Sequence, residues 1–241
     1  MEAGREVLNA AKTTIKVARG MIGYLRRPDQ RVSWGGAFNG QQHRLAIFHE
    51  LLNLFRFRTI VETGTHRGTT TEFFASIPRI HVYTIESHPW SYGYCRTRFF
   101  FDARVTVLWG DSRERLCQLT KDGNVARPVF FYLDAHWYND SPLMTELDII
   151  FSECRDAIVM IDDFKVEGDK YYQFDDYGGM KRLCIEYIKP VVEKFEPSLF
   201  FPSANGELEN GARRGCIVLV ARDFSAQTNS LSTLRRYSLR R

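Results

Sequence analysis

Residues 59–74, TIVETGTHRGTTTEFF, decide how the rest of the chain is interpreted. A short apolar strand runs into Glu62, Gly64 and Gly68, and a helix-like run follows. Glycine adopts backbone angles that are closed to other residues and leaves room beside the main chain, while a helix start offers free N–H groups. The pattern therefore predicts a loop that binds a small molecule.

The spacing of the glycines indicates which small molecule this is. A dinucleotide-binding loop has glycines in the order G-x-G-x-x-G, and the third position of that pattern is His66 here, which disfavours NAD. The pattern E-x-G-x-x-x-G instead resembles motif I of class I S-adenosylmethionine (SAM) dependent methyltransferases, in which the loop wraps the methionine end of the cofactor. The resemblance implies that Glu62, Gly64, Thr65, His66 and Gly68 form part of a SAM site.

Two further strand ends carry acids where this resemblance expects them. The run His81–Glu86 (HVYTIE) ends in a carboxylate that can accept both hydroxyl protons of a ribose. The run Val105–Trp109 ends before Asp111 and Ser112, similar to the family position that contacts the adenine amino group. Taken singly, each residue has a simpler explanation. Glu86 would be a solvated acid at a strand end, and Asp111 would be part of a turn. Together with the glycine loop they predict a ligand crevice at the carboxyl ends of the strands.

Length and composition fit one soluble α/β domain with additions. The 241 residues are 44% hydrophobic and 26% charged, and no apolar run is long enough to span a bilayer. The N-terminus lacks the features of a secretory signal, so we expect a cytoplasmic protein. Five scattered cysteines without a C-x-x-C pair predict buried thiols, not zinc ligands or disulfides. The net charge of +4 comes from the two ends and makes no case for nucleic-acid binding.

The chain divides into three predicted parts. Residues 1–56 form an N-terminal helical extension whose first helix has apolar residues at three- and four-residue steps. We expect this apolar stripe to pack on the following domain or on a second subunit, which predicts a homodimer through the N-terminal helices. Residues 57–223 form the methyltransferase domain. Residues 224–241, rich in Ser, Thr and Arg, are expected to form a basic, flexible tail.

From residue 59 onward, strand-like runs alternate with helix-like ones, which predicts βαβ units and a parallel sheet. The last two strand-like runs, 199–202 and 217–221, are joined by a polar, glycine-containing segment that is typical of a hairpin. The resemblance implies a Rossmann-like α/β methyltransferase fold. Its sheet would be mostly parallel and seven-stranded, with a C-terminal antiparallel hairpin and helices on both faces.

Three acids follow the fourth and fifth strands, Asp134 after FFYL and the pair Asp162-Asp163 after IVMI. Like charges held close raise one another's pKa, and a divalent cation that prefers oxygen, first of all Mg²⁺, relieves this. Their spacing resembles the metal triad of catechol O-methyltransferase and of macrocin-type sugar O-methyltransferases. The alternative is that Asp163 caps a helix and Asp162 holds a neighbouring loop.

The catechol enzyme carries a lysine base in D-H-W-K, whereas this chain has Asp134-Ala135-His136-Trp137-Tyr138. Imidazole is a better base than carboxylate at neutral pH. His136 is therefore one candidate for accepting the proton of the acceptor hydroxyl, and Asp134 is the other. A histidine that only supports the site is an equal alternative.

The segment 165–179 follows the metal acids directly and is aromatic and acidic, as expected of a lid over the acceptor. Its candidate contacts are Tyr171, Tyr172, Phe174, Asp175, Asp176 and Tyr177. A surface loop with buried tyrosines is the alternative. Arg213 and Arg214 are candidates to clamp an anionic group, although hairpin arginines are usually solvated.

These features together predict a SAM-dependent O-methyltransferase, assisted by Mg²⁺, that methylates a hydroxyl of a sugar, a glycan or another small molecule. Sugars are favoured because the motif set is closer to the macrocin-type enzymes. Two alternatives are a metal-independent methyltransferase of the same fold and a non-catalytic module that uses the SAM fold for binding.

Overall fold

The fold was analysed in a computed structural model, which describes residues 2–121, 123, 125–135, 141–178 and 182–239. Five strands run parallel: β1 (Thr59–Thr63), β2 (His81–Glu86), β3 (Val105–Trp109), β4 (Val129–Leu133) and β5 (Ala157–Ile161). Three more are antiparallel to their neighbours: β6 (Ser198–Pro202), β7 (Ile217–Val220) and β8 (Leu234–Tyr237). The strand order is β3-β2-β1-β4-β5-β7-β6-β8. The predicted parallel sheet with a C-terminal antiparallel hairpin is confirmed.

The order reverses between β1 and β4, so the loops that follow these two strands diverge and leave a crevice at their carboxyl ends. Every residue of β1, β4 and β5 is buried, as expected for central strands covered on both faces. This crevice is where the sequence places the glycine loop and the first acid.

Helices cover both faces of the sheet, as predicted. One face carries α2 (Gln42–Phe55), α3 (Thr69–Ala75) and α4 (Pro89–Arg98), which enclose an aromatic core around Phe48, Phe74 and Phe130. The other carries α5 (Ser112–Lys121), α6 (Leu143–Glu153) and α7 (Ile185–Phe195). Alternate strand residues contribute to the two cores, because successive side chains of a strand point to opposite faces.

Helix α1 (Glu2–Arg26) forms as predicted, but it packs on α4 through its glycines and not through its apolar stripe. A Cβ on Gly20 would lie 2.0 Å from the carbonyl oxygen of Trp90, and one on Gly93 would lie 2.1 Å from that of Val17. The stripe faces away, with side chains exposed up to 71% (Val7, Leu8, Ile15, Ile22 and Leu25). The expectation that it packs on the domain is therefore wrong.

The C-terminal tail also differs from the prediction. Strand β8 adds to the edge of β6, so the sheet of the described residues has eight strands where seven were predicted. The carboxylate of Glu50 accepts hydrogen bonds from the backbone N–H of Ser232 at 2.7 Å and of Thr233 at 2.9 Å. Leu234 is buried. The open edge of β6 and these contacts order a segment that was expected to be flexible.

Among the residues with a described structure, none of the helices is both long and apolar enough to cross a membrane.

Candidate active site

The loop between β1 and α3 has the backbone that its glycines predict. Gly64 (φ 86°) and Gly68 (φ 72°) are both in the left-handed region. A Cβ on Gly64 would lie 2.4 Å from the carbonyl oxygen of Asp134, and one on Gly68 would lie 2.6 Å from the Phe99 ring. These glycines are thus required by close packing against the β4 loop and α4, in addition to any room they leave for a ligand.

Glu62 supports this loop from below. It is buried, and its carboxylate accepts hydrogen bonds from the hydroxyls of Thr71 (2.5 Å) and Thr84 (2.6 Å). Burial raises the pKa of Glu62 to about 7 against the lowering effect of these two hydroxyls. Thr65 joins the same network through its hydroxyl, 2.6 Å from that of Thr84. The network fixes where the loop leaves the strand.

Glu86 lies at the carboxyl end of β2, as predicted, and faces a cavity. Its carboxylate accepts hydrogen bonds from the backbone N–H of His66 at 2.8 Å and of His88 at 2.7 Å. Burial raises the pKa of Glu86 to about 7 although these N–H groups favour the charged form. A carboxylate held in this way ties the glycine loop to β2 and keeps acceptor capacity for a ligand hydroxyl.

The first cavity has a volume of about 780 Å³ and contains most of the predicted cofactor residues. Its lining includes Gly64, His66, Glu86, Trp90, Asp111 and Ser112. Asp111 accepts a hydrogen bond from Arg113 Nε at 2.9 Å, and the Arg113 contacts lower the pKa of Asp111. Glu62 and Thr65 line a different cavity, and Gly68 lines neither.

A second cavity of about 500 Å³ shares Gly64 and His66 with the first. Its lining includes polar and charged side chains and two aromatic ones (Trp34, Asn39, Thr69, Asp134, Asp163, Gln173, Asp175, Tyr177 and Arg214). Trp34 is 70% exposed at this cavity. Two separate cavities thus meet at one glycine loop.

Asp134 faces the second cavity from the end of β4. Burial, together with the nearby charges of Asp162 and Asp163, raises the pKa of Asp134 well above its ordinary value. His136, the other candidate base, lies outside the described residues.

Asp162 points into the protein and not into the cavity. One of its carboxylate oxygens accepts a hydrogen bond from Arg44 and the other accepts one from the Tyr132 hydroxyl. Its side chain is fully buried and that of Arg44 is 1% exposed. Arg44 also donates to the carbonyl oxygen of Gly215 at 3.0 Å. Asp162 therefore anchors α2 and β7 to the end of β5.

Asp163 has a φ of 54° and forms an ion pair with Arg214, whose Nε lies 2.6 Å from its Oδ1. The same guanidinium donates to Asp175 from the predicted lid. Burial and the neighbouring Asp162 raise the pKa of Asp163 to about 7, while Arg214 opposes this rise. Gln41 holds the Arg214 backbone by two hydrogen bonds, of 2.8 and 3.1 Å.

The predicted magnesium ligands are thus brought to one place, but two of the three are paired with arginines. No group of three His, Cys, Asp or Glu side chains suited to a metal ion occurs in the described part of the chain. Asp162 has both oxygens engaged by protein donors, and Asp163 is neutralised by Arg214. As they lie, these residues do not fit a Mg²⁺ ion.

The predicted lid divides into cavity and core residues. Asp175 and Tyr177 line the second cavity, whereas Tyr172 is buried in the core and Asp176 pairs with the exposed Arg182. Residues 179–181 lie outside the described residues.

Sequence reasoning missed Arg44 and Trp34. A signal for Arg44 exists, because it shares the buried face of α2 with Ile47, Phe48 and Leu51 at helical spacing. A cation on such a face requires an anion, and that anion is Asp162. For Trp34 no sequence signal distinguishes an exposed ring at a cavity from one in a linker.

No family model matches this chain, and no curated protein matches it. Solved structures do resemble its fold. An O-methyltransferase from Bacillus cereus in complex with SAH has a TM-score of 0.56 at 16% identity, over 84% of this chain and 90% of that one. The O-methyltransferase TomG from Streptomyces achromogenes, involved in tomaymycin synthesis and solved with SAM, has a TM-score of 0.52 at 19% identity, over 75% and 79%. The chain therefore has the class I methyltransferase fold.

Proposed function

We propose that this protein is a SAM-dependent O-methyltransferase that acts on a hydroxyl of a small molecule. The observation that carries the proposal is the pair of cavities that meet at Gly64 and His66, one lined by Glu86, Asp111 and Ser112 and the other by Asp134. Methyl transfer requires this arrangement, because the sulfonium methyl and the acceptor oxygen must approach in line.

The first cavity suits SAM chemically. In this proposal Glu86 would accept the ribose hydroxyls, and Asp111 with Ser112 would contact the adenine. The loop at His66 would border the methionine end. The B. cereus and S. achromogenes proteins of similar fold were solved with SAH and SAM, which supports the same class of cofactor here.

In the proposed reaction SAM would supply its sulfonium methyl group to the acceptor oxygen, with S-adenosylhomocysteine as the leaving group. The hydroxyl proton passes to a base. Asp134 lines the acceptor cavity, and its raised pKa brings its basicity closer to that of the hydroxyl. His136 is the other proposed base.

A sugar or glycan is the acceptor class that we favour. Carboxylates bind vicinal hydroxyls, and aromatic rings pack on the apolar faces of sugars. Asp163, Asp175, Trp34 and Tyr177 supply both kinds of group around the second cavity. Five free cysteines, four of them buried, support a reducing compartment such as the cytoplasm.

Mg²⁺ would polarise the acceptor hydroxyl if it bound, but Asp162 and Asp163 are paired with arginines, so we assign no step to it. A non-catalytic SAM-binding module remains the alternative from another class. Methyl transfer from labelled SAM onto a panel of sugars and polyphenols tests the proposal. We expect a methylated sugar product that is lost in Asp134→Asn; SAM binding without transfer to any acceptor would favour the module.

A further inference from the structure

Among the acids in and beside the second cavity, Asp162, Asp163 and Asp175 already have counter-charges, which are supplied by two arginines. Arg44 is buried against Asp162, and Arg214 lies between Asp163 and Asp175. These two cations come from α2 and from the segment before β7, parts of the chain outside the strands that carry the acids. These pairs occupy two of the three carboxylates that the sequence pattern assigns to a metal, Asp162 and Asp163.

Arg214 lines the second cavity, where we place the acceptor. Its Nε and one Nη bond Asp163 and Asp175, and its other Nη makes no hydrogen bond to any described residue. A guanidinium has five N–H donors in a planar fork, so this orientation leaves donors for a bound molecule. Gln41 fixes the backbone of Arg214 at the same time. The side chain is therefore held from both ends.

We propose that Arg214 takes the place of a divalent metal in this site: it binds and orients the acceptor oxygen, and methyl transfer proceeds without a metal ion. This inference rests on the proposed function for its catalytic part. Its charge part is the statement that Asp163 and Asp175 are unavailable to a cation while Arg214 is present. This part does not depend on the proposed function.

A Mn²⁺ titration of the full chain, followed by electron paramagnetic resonance, tests the charge part without SAM or acceptor. The wild-type chain should bind no Mn²⁺ at this site. Arg214→Ala frees Asp163 and Asp175 beside Asp134 and should gain one Mn²⁺ site. Arg214→Lys keeps the charge and should gain none. Arg213→Ala is the matched control, because Arg213 donates to the Glu209 carbonyl at 3.0 Å and does not line the cavity.

The catalytic part is tested with the acceptor found in the methyl-transfer screen. Wild-type turnover should be unchanged after thorough chelation, and Arg214→Ala should lower kcat/KM by roughly 100-fold through loss of oriented charge. If the alanine variant does not fold, Arg214→Gln, which is neutral but keeps an N–H donor, replaces it in both assays.

A wild-type chain that binds Mn²⁺ at this site, or a folded Arg214→Ala that gains no site, overturns the inference. So does turnover that chelation abolishes. These results leave the proposed function standing as long as methyl transfer is observed. Conversely, a chain that transfers no methyl group removes the proposed function, while the Mn²⁺ result still decides whether the arginine occupies the metal position.

Discussion

Buried carboxyl groups around the glycine loop are held close to the point of protonation at neutral pH. Burial raises the pKa of Glu62, Glu86 and Asp163 to about 7 in each case, and the surrounding hydroxyls, backbone N–H groups and Arg214 only partly oppose this. Ligand affinity at this site and the free energy of unfolding should therefore both change with pH near 7.

Glu86 gives the first prediction at this scale. A carboxylate accepts both ribose hydroxyls and a neutral carboxyl does not, so SAM affinity should rise with pH through about 7 and level off above it. Glu86→Gln should lose this pH dependence and weaken binding at pH 8 by about 1–3 kcal/mol. Calorimetry at several pH values measures both. Glu114→Gln, at an exposed position of α5, is the control, and a Glu86 variant with the wild-type profile refutes the ribose assignment.

Glu146 gives the second. It is fully buried on α6 and neither carboxyl oxygen has a hydrogen bond of normal geometry among the described residues, although Ser112 and Thr63 are near enough to lower its pKa in part. Burial raises the pKa of Glu146 from 4.5 to about 7. The folded chain then keeps a proton that the unfolded chain releases, so the free energy of unfolding falls as pH rises from 4.5 to about 7 and stays low above.

Glu146→Gln removes this pH-dependent change in the free energy of unfolding. At pH 8 the variant should be more stable than the wild type by about 1–3 kcal/mol, and at pH 4 the two should differ little. Urea unfolding at the two pH values measures the difference. Glu153→Gln, exposed on the same helix, should change neither value. A Glu146→Gln variant that is less stable at pH 8 would show that the carboxylate has partners that stabilise its charge.

At the residue scale the sequence indicated which acids gather in the crevice but not which cations meet them. Glu86 ends a strand, Asp111 and Asp134 come shortly after one, and the ends of parallel strands meet at one edge, so their positions could be predicted. The partners of Asp162 and Asp163 come from 118 and 51 residues away in sequence. Such long-range pairing is a tertiary property that spacing along the chain does not contain.

At the scale of elements, the contact between α1 and α4 depends on two glycines that let the helices touch. Gly20→Val would place atoms where the Trp90 carbonyl lies and should cost about 1–3 kcal/mol or detach α1. The linker 27–41 would then be cleaved faster in limited proteolysis, which is the measurement. Ala10→Val, at an exposed position of α1 outside the apolar stripe, is the control. Equal cleavage of the two variants would contradict the packing described here.

The tail illustrates why element predictions fail at chain ends. Leu234-Arg235-Arg236-Tyr237 has only two apolar residues, too few for a strand signal. The edge of β6 orders it, because an open edge offers unpaired N–H and C=O groups. Helix α1, by contrast, was predictable because its period persists over 25 residues.

At the scale of the whole molecule, the homodimer stays a prediction. The exposed apolar stripe of α1 is the surface through which it would form. Leu8, Ile15 and Ile22 recur every seven residues, with Ala11, Ala18 and Leu25 between them, which is the spacing of a helix–helix seam. Arg5, Lys12, Arg19 and Arg26 flank the stripe at the same interval. In an antiparallel pair these basic rows would face each other, so the dimer should strengthen with added salt.

Light scattering after size exclusion at low and high salt measures this association. The double variant Ile15→Glu, Ile22→Glu should be monomeric at both, and Lys16→Gln, outside the stripe, should behave as the wild type. A wild-type chain that is monomeric at every concentration and salt would rule the dimer out.

The fold as a whole was predictable because alternation of strands and helices leaves few arrangements with right-handed crossovers. The crevice follows from the fold, since the strand order reverses between β1 and β4. What occupies the second cavity does not follow, because much of its lining comes from the linker, the lid and the segment before β7.

Calorimetric titration of the wild-type chain with SAM tests the central claim most directly. The pair of cavities at Gly64 and His66 predicts one SAM per chain with micromolar affinity, and Gly64→Val, whose side chain would meet the Asp134 carbonyl, should abolish it. A wild-type chain that is folded and yet releases no heat with SAM would contradict the account.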